Sequence, residues 1–409
     1  MKDAKATSTM RVLKFGGSSL ATPALRNEAA GRVIEHSRNG DRVVVVVSAM
    51  GRSPNPYATD TLLALVPQAQ AGPNCDLLLA TGEIISAAVF AELLESRALP
   101  ARALTGSQAG IITDATHGDA RVLSVDPRPL IALLESGVTP VVCGFQGATE
   151  DGAIATLGRG GSDLTAVAIA KALDGATLDI YTDVDGVMTA DPKRVPQAKT
   201  ISALTFEEVT ELSEHGATVM HDKAADLARI SQLSYSVRNL RTGAGTSVGA
   251  LQTHEPAGPV TGVATSFGYT FMHLVPEAAV LPGGWEQEAF RTLSDGGISI
   301  DCVNVNSAGL FFIVRDDDYD SAYKRLEPLP LAARTRRNCA KISVVGAGMR
   351  GTPGVMYRCV RALSAVAVPI IHSTDSNITI SLLVPGAQAA AAEQALHEQF
   401  NLGNAATDL

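Results

Sequence analysis

RVLKFGGSS, Arg11 to Ser19, is a short, largely apolar run that ends on a glycine pair. Such a run predicts a strand that delivers Lys14 to its carboxyl end beside a tight turn, where open α/β sheets bind their ligands. The same pattern recurs downstream. Strands are expected at 11–15, 41–48, 138–145, 176–182 and 235–240, alternating with helical patterns, which is the signature of a mainly parallel sheet covered by helices. Thr22 before Pro23 supplies an N-cap and an N1 proline for one helix, and Gly40 ends it. Asp163 is expected to open another, DLTAVAIAKALDG, whose apolar face is carried by Leu164, Val167, Ala168 and Ala170 to Leu173.

The whole chain is consistent with that beginning. Its 409 residues exceed a single small module, since domains run to roughly 100–200 residues each. A net charge of −9 repels phosphate backbones and anionic lipid, and no run of basic residues offsets it. With aromatics at 4%, base-stacking platforms are not expected either, so nucleic acid and membrane are excluded as partners. The longest purely aliphatic run, Val43 to Val47, is far short of the ~20 residues of a spanning helix. The first ten residues form a polar tail without the apolar core of a signal peptide. Five cysteines without a C-x-x-C pair point to reduced thiols and a cytoplasmic protein.

From about Val260 the chain repeats itself at an offset of 70 residues, pairing Leu293 with Leu363, Ile300 with Ile370 and Phe312 with Leu382. Each copy is expected to run strand, helix, strand, strand, helix, strand, giving two copies of a small α+β module. The segment Gly243 to Gly258, rich in Gly, Thr and Pro, is the expected linker. The domains expected are therefore 1–245, 246–335 and 336–409.

Lys14 beside Gly16 and Gly17 is either an ordinary strand-end lysine or a point charge for phosphate, with glycines that let backbone N–H groups approach the oxygens. Two further glycine turns favour the second reading. Ser48-Ala49-Met50-Gly51 follows the valine run, and Leu157-Gly158-Arg159-Gly160-Gly161-Ser162-Asp163 enters a helix N-terminus, a ready anion site. Gly346-Ala-Gly-Met-Arg-Gly351 spells a dinucleotide fingerprint, but only 58 residues follow it and the repeat assigns it to the second α+β copy.

Taken in order, VLKFGGSSL, VVSAMG, LLATGEIIS, ATLGRGGSDLTAVAIA and YTDVDGVMTADPK resemble the aspartate kinases of the amino-acid kinase family. The resemblance continues through ISVVGAGM and STDSNITIS into two ACT-type regulatory modules, and its details look most like the diaminopimelate-sensitive, monofunctional subgroup. It implies a three-layer αβα kinase domain with a mainly parallel sheet, followed by two C-terminal βαββαβ ACT modules. It further implies ATP and Mg²⁺ as cofactors, L-aspartate as acceptor, an amino-acid effector and a homo-oligomer, dimer or tetramer, paired through the ACT modules. Phosphorylating a carboxylate brings two anions together, so charge neutralisation and positioning dominate. By resemblance, Lys14 holds the transferring phosphoryl with the backbone N–H groups of Gly16, Gly17 and Ser48, and Asp163 orients Lys14. Thr59, Glu83, Arg159 and Ser162 match the aspartate contacts. Thr182, Asp183, Asp185, Met188 and Lys193 match the nucleotide contacts. Ser373, Asp375, Ser376 and Asn377 offer polar groups for the effector, with meso-diaminopimelate expected first and lysine or threonine next.

Two positions depart from the family pattern. A lysine that usually touches nucleotide phosphates is Thr218 here, and an arginine is Lys193, which keeps the charge without the planar fork. The alternatives are another amino-acid or carbamate kinase of the same fold, or a non-catalytic amino-acid sensor derived from one. Retention of Lys14 and Asp163 argues against the sensor.

Overall fold

A computed structural model describes residues 9–68, 70–214, 220–250, 258–277 and 284–403. The chain divides into two compact units. The first takes the described residues within Met1–Val187, Thr200–Thr210 and Val219–His254, and the second those within Met188–Lys199, Glu211–Thr218 and Glu255–Leu409.

The first unit is built on an eight-stranded sheet in the order 203–205, 245–249, 235–239, 177–182, 10–15, 42–47, 139–143, 101–104. The five strands expected from the sequence form its contiguous parallel centre. Arg42–Val47 is buried on both faces, as a near-continuous valine run in a parallel sheet should be. Strand 245–249 runs antiparallel to 235–239, so the segment expected to begin a linker at Gly243 supplies a sheet strand. Too short and too rich in glycine to stand out, GTSVG is held by its neighbours rather than by its own propensity. The rest of that expected linker, 251–257, lies outside the described residues. A separate four-stranded sheet, in the order 122–125, 111–113, 146–148, 154–156, was not foreseen, because its strands are only three or four residues long.

Alternation along Met10–Phe15 decides what the centre presents to each side. Leu13 and Phe15 face the helices Pro23–Arg38 and Pro73–Glu95 in one continuous core. Phe15 stacks on Tyr181 at 5.1 Å and tilts against Phe90 at 5.7 Å. Truncating it to alanine would remove this contact at a cost of about 3–5 kcal/mol. Val12 and Lys14 project to the other face, where helix Gly161–Ala172 packs on the same strands. Pro73–Glu95 has the length and apolarity of a membrane span, yet Asp76, Glu83 and much of its apolar surface are buried, as in a core helix. Thr22 caps Pro23–Arg38 through a bond from Leu25 N–H, and Gly40 follows its end at φ +92°. Helix 161–172 begins two residues earlier than expected, on a left-handed Gly160, so Asp163 lies within the first turn instead of opening it.

The second unit carries a six-stranded antiparallel sheet, in the order 301–306, 309–315, 262–276, 331–345, 379–385, 372–375. The repeat expected from the sequence is present in the helices 285–295 and 355–365 and in the strands 309–315 and 379–385. Its paired positions Leu293, Leu363, Phe312 and Leu382 are buried in two separate cores. The second copy nevertheless departs from the expected order. No strand follows its last helix, Ala389–Gln399, among the described residues, and its place beside 339–345 is taken by 262–267. Irregular pairing between Phe267 and Phe271 marks where the long strand passes from one module to the other. The Gly346–Gly351 loop follows a strand of this antiparallel sheet, which is not the parallel βαβ setting of a dinucleotide site.

Candidate active site

Register alone places Lys14 next to Val46 and Ile180, one residue before the carboxyl end of its strand. Its side chain is largely buried, and Nζ lies 2.6 Å from Asp163 Oδ1 at the start of helix 161–172. The approach is that of an ion pair rather than an aligned hydrogen bond. At Gly17 the first glycine turn is packed too tightly to hold a side chain. A Cβ on Gly17 would come within 2.6 Å of the Ala49 carbonyl oxygen and 2.7 Å of that of Gly51, while one on Gly16 would touch Lys14 Nζ at 3.5 Å. Gly51 N–H donates to the Gly17 carbonyl at 2.9 Å, so the first two glycine turns are joined directly. One expectation needs correction. Ser48 N–H donates to the Phe15 carbonyl at 3.1 Å and Gly16 N–H to that of Tyr181 at 3.4 Å, so both extend the ladder instead of facing a ligand.

Glu83 enters from helix 73–95. It is 2% exposed; Oε1 accepts from Ala49 N–H at 3.0 Å and Oε2 has no hydrogen-bond partner. Burial pushes its carboxyl up to about 8 despite the opposing bond from Ala49. A half-satisfied buried carboxyl costs stability, and its unused oxygen is left as an acceptor for a ligand. Burial, helped by the nearby Glu83, also pushes the Cys143 thiol up to about 12, which makes it an inert packing residue. Gly82 lets this helix approach the loop before Thr59, since a Cβ there would lie 2.8 Å from the Tyr57 carbonyl oxygen. Thr59 opens the short helix Thr59–Leu63.

The third glycine turn is equally constrained. Gly158 and Gly160 adopt φ +73° and +69°, and a Cβ on Gly160 would collide with that of His221 at 2.1 Å. Between them Arg159 is exposed, and Ser162 is buried against Gly144, where a Cβ would stand 2.7 Å from Ser162 Oγ. Lys14, Gly16, Gly17, Ser48, Glu83, Ser162 and Asp163 are thus linked through the first unit by this chain of contacts. Thr182 and Asp183 close the same end of strand 177–182, with Thr182 Oγ1 donating to Asp183, and Asp185 accepts from Thr242 Oγ1 at 3.0 Å. Met188 and Lys193 fall in the second unit, and Thr218 lies outside the described residues. In the second unit Ser373, Asp375, Ser376 and Asn377 are exposed together at the end of the edge strand 372–375 and in its turn. Ser376 Oγ accepts from the N–H groups of Ile378 and Thr379, so it shapes that turn.

Two side chains near the site carried little signal in the sequence. The Tyr235 hydroxyl is buried without a partner, and burial together with the charge of Asp163 raises its pKa. His221 Nδ1 is likewise buried and unpartnered against Gly160. Both are local residues of ordinary strand and helix-start patterns, and only the tertiary fold brings them here.

A lysine near the carboxyl end of a parallel strand, neutralised by a helix-borne aspartate and set among three glycine turns, defines a phosphotransferase of the amino-acid kinase class. Sequence comparison agrees: residues 9–239 match the Amino acid kinase family and 342–400 match the ACT domain. Aspartokinase 1 of Bacillus subtilis (strain 168) is 40% identical over 400 residues, covering 96% of this chain and 98% of that protein. Two crystal structures of E. coli aspartokinase III, one with aspartate and ADP and one with lysine and aspartate, superpose with TM-scores of 0.77 and 0.74. They share 24% and 25% identity, and each comparison covers 96% of this chain and all of theirs. The chain belongs to the aspartokinase family.

Proposed function

We propose that the chain transfers the γ-phosphoryl group of ATP to the β-carboxylate of L-aspartate, forming the mixed anhydride 4-phospho-L-aspartate that opens the synthesis of lysine, threonine, methionine and diaminopimelate. The observation that carries this reading is the Lys14–Asp163 pair, linked through the first two glycine turns to the half-satisfied Glu83 in one unit of a chain whose relatives are aspartokinases. Lys14 offsets charge on the phosphoryl oxygens as the two anions meet, with the Gly17 N–H beside it, and Asp163 keeps its ammonium at the carboxyl end of the strand. Arg159 clasps a carboxylate of the amino acid while Glu83 takes the α-ammonium, and Thr59 and Ser162 complete the acceptor pocket. Thr182, Asp183, Asp185, Met188 and Lys193 serve the nucleotide.

Among the described residues no group of three or more His, Cys, Asp or Glu is placed to hold a metal. A magnesium ion would be carried mainly by the phosphate oxygens of ATP, whose charge it would offset when bound. The three-part division at 245 and 335, a cytoplasmic location, and a homo-oligomer paired through the ACT modules belong to the same proposal, as does inhibition by a pathway amino acid at the Ser373–Asn377 turn. ADP release measured with ATP and L-aspartate, with and without excess chelator, tests the reading. It requires release that depends on both aspartate and divalent metal, and aspartate-independent release would refute it.

A further inference from the structure

Asp76 sits two helical turns before Glu83 on helix 73–95, at a spacing that puts both on one face. It is 1% exposed, and its carboxylate is heavily bonded. It accepts from Gly118 N–H at 3.1 Å, from Thr156 N–H at 2.9 Å and from the Thr156 hydroxyl at 2.7 Å, and His117 Nδ1 stands 2.8 Å away. Thr156 is itself fully buried and ends strand 154–156, three residues before Arg159. The 117–119 loop that Asp76 also grips backs directly onto Gly158, where a Cβ would meet Asp119 Oδ1 at 2.5 Å. One buried carboxylate therefore ties the helix bearing Glu83 to the residues that lead into Arg159, directly at Thr156 and through the 117–119 loop at Gly158.

We infer that Asp76 is a positioning residue that fixes the spacing between Glu83 and Arg159, and so the fit of the amino-acid acceptor, resting on the assignment of those two residues to aspartate. The side chain makes no contact of its own with the proposed substrate groups. It acts through geometry: a carboxylate can satisfy several N–H and O–H donors at once, and an amide in its place presents its own N–H groups to them. Because the nucleotide side of the site is reached through other elements, the effect should fall on one substrate only.

The test is steady-state kinetics of the full chain carrying Asp76→Asn, Thr156→Val, Arg159→Ala and the Asp76→Asn/Arg159→Ala pair, with thermal unfolding of each. Asp76→Asn should raise KM for aspartate about tenfold and leave KM for ATP within about twofold, a split that general loosening would not produce. Thr156→Val, which keeps the backbone bond, should raise the same constant about threefold and decides the matter if Asp76→Asn does not fold. The double variant should be less impaired than the product of the single effects, because both changes act on one unit. Equal shifts in both KM values, or a double variant at the full product, would overturn the inference. A raised aspartate KM in Arg159→Ala with unmoved values in Asp76→Asn and Thr156→Val would overturn it alone. An unmoved aspartate KM in Arg159→Ala would overturn the parent assignment and this inference with it.

Discussion

Lys14 Nζ stands 2.6 Å from Asp163 Oδ1, although the two residues come from the first strand of the sheet and from a helix almost 150 positions later. The pairing depends on strand parity. Because Leu13 and Phe15 face the core, Lys14 must face helix 161–172, and the left-handed Gly160 starts that helix early enough to bring Asp163 over the strand end. A largely buried ammonium with one carboxylate partner is held in place without being used up, since further donors of Nζ remain for an incoming anion.

Replacing that charge should therefore damage chemistry more than folding. Lys14→Ala should lower kcat roughly 10²-fold or more, about 3 kcal/mol of transition-state stabilisation, with an unchanged circular dichroism spectrum. A near-native kcat in this variant would remove Lys14 from the mechanism.

Glu83 gives a pH signature. Its carboxyl is raised by burial to about 8, so in the free protein it is largely protonated at neutral pH and becomes an acceptor for an ammonium only as pH rises. kcat/KM for aspartate should climb between pH 7 and 8.5, and Glu83→Gln should lack that limb. Stability should move oppositely. The folded state binds the proton more tightly than the unfolded chain, so the stabilising contribution is present below the ordinary glutamate range and is lost as pH rises toward 8. The melting temperature of Glu83→Gln relative to the parent should accordingly increase with pH, and parallel profiles would contradict the assignment.

Regulation is better tested by point changes than by truncation. The segment 188–199, which carries Met188 and Lys193, is held within the second unit by the last helix, where Thr189 Oγ1 lies 2.9 Å from His397 Nε2 and Arg194 pairs with the fully buried Glu393. Deleting residues 260–409 would strip those partners along with the effector turn. Asp375→Ala should instead raise the concentration of effector needed for half-inhibition about tenfold, the loss of one charged contact. Failure of millimolar diaminopimelate, lysine and threonine to inhibit the parent protein would reduce the ACT modules to assembly elements.

The parallel centre was legible because most of its strands are short runs rich in apolar and β-branched residues ended by a turn, and the one buried on both faces is written as a valine run. The repeat at 70 residues was legible for the same reason, in paired core leucines. What escaped was long-range. GTSVG at 245–249 is a strand only because its neighbours pair with it, and 262–267 completes a module whose other strands lie beyond an entire intervening copy. In the site, glycine turns announced Lys14, Arg159 and Asp163, whereas Asp76, Tyr235 and His221 left no local mark. A buried polar residue differs from an exposed one by its partners, and those are set by the fold. Ser48 shows the converse, for its place in a motif did not reveal that its N–H is already bonded to Phe15.

A site that phosphorylates the carboxylate of one amino acid forms an acyl phosphate, and acyl phosphates are captured by hydroxylamine as coloured hydroxamates. The full chain incubated with ATP, magnesium and hydroxylamine, and in turn with aspartate, glutamate, acetate and carbamate, should give hydroxamate with aspartate at a rate matching ADP release, and background levels with the other three. Equal or greater product with another acceptor, or none with aspartate while the protein is folded, would contradict it.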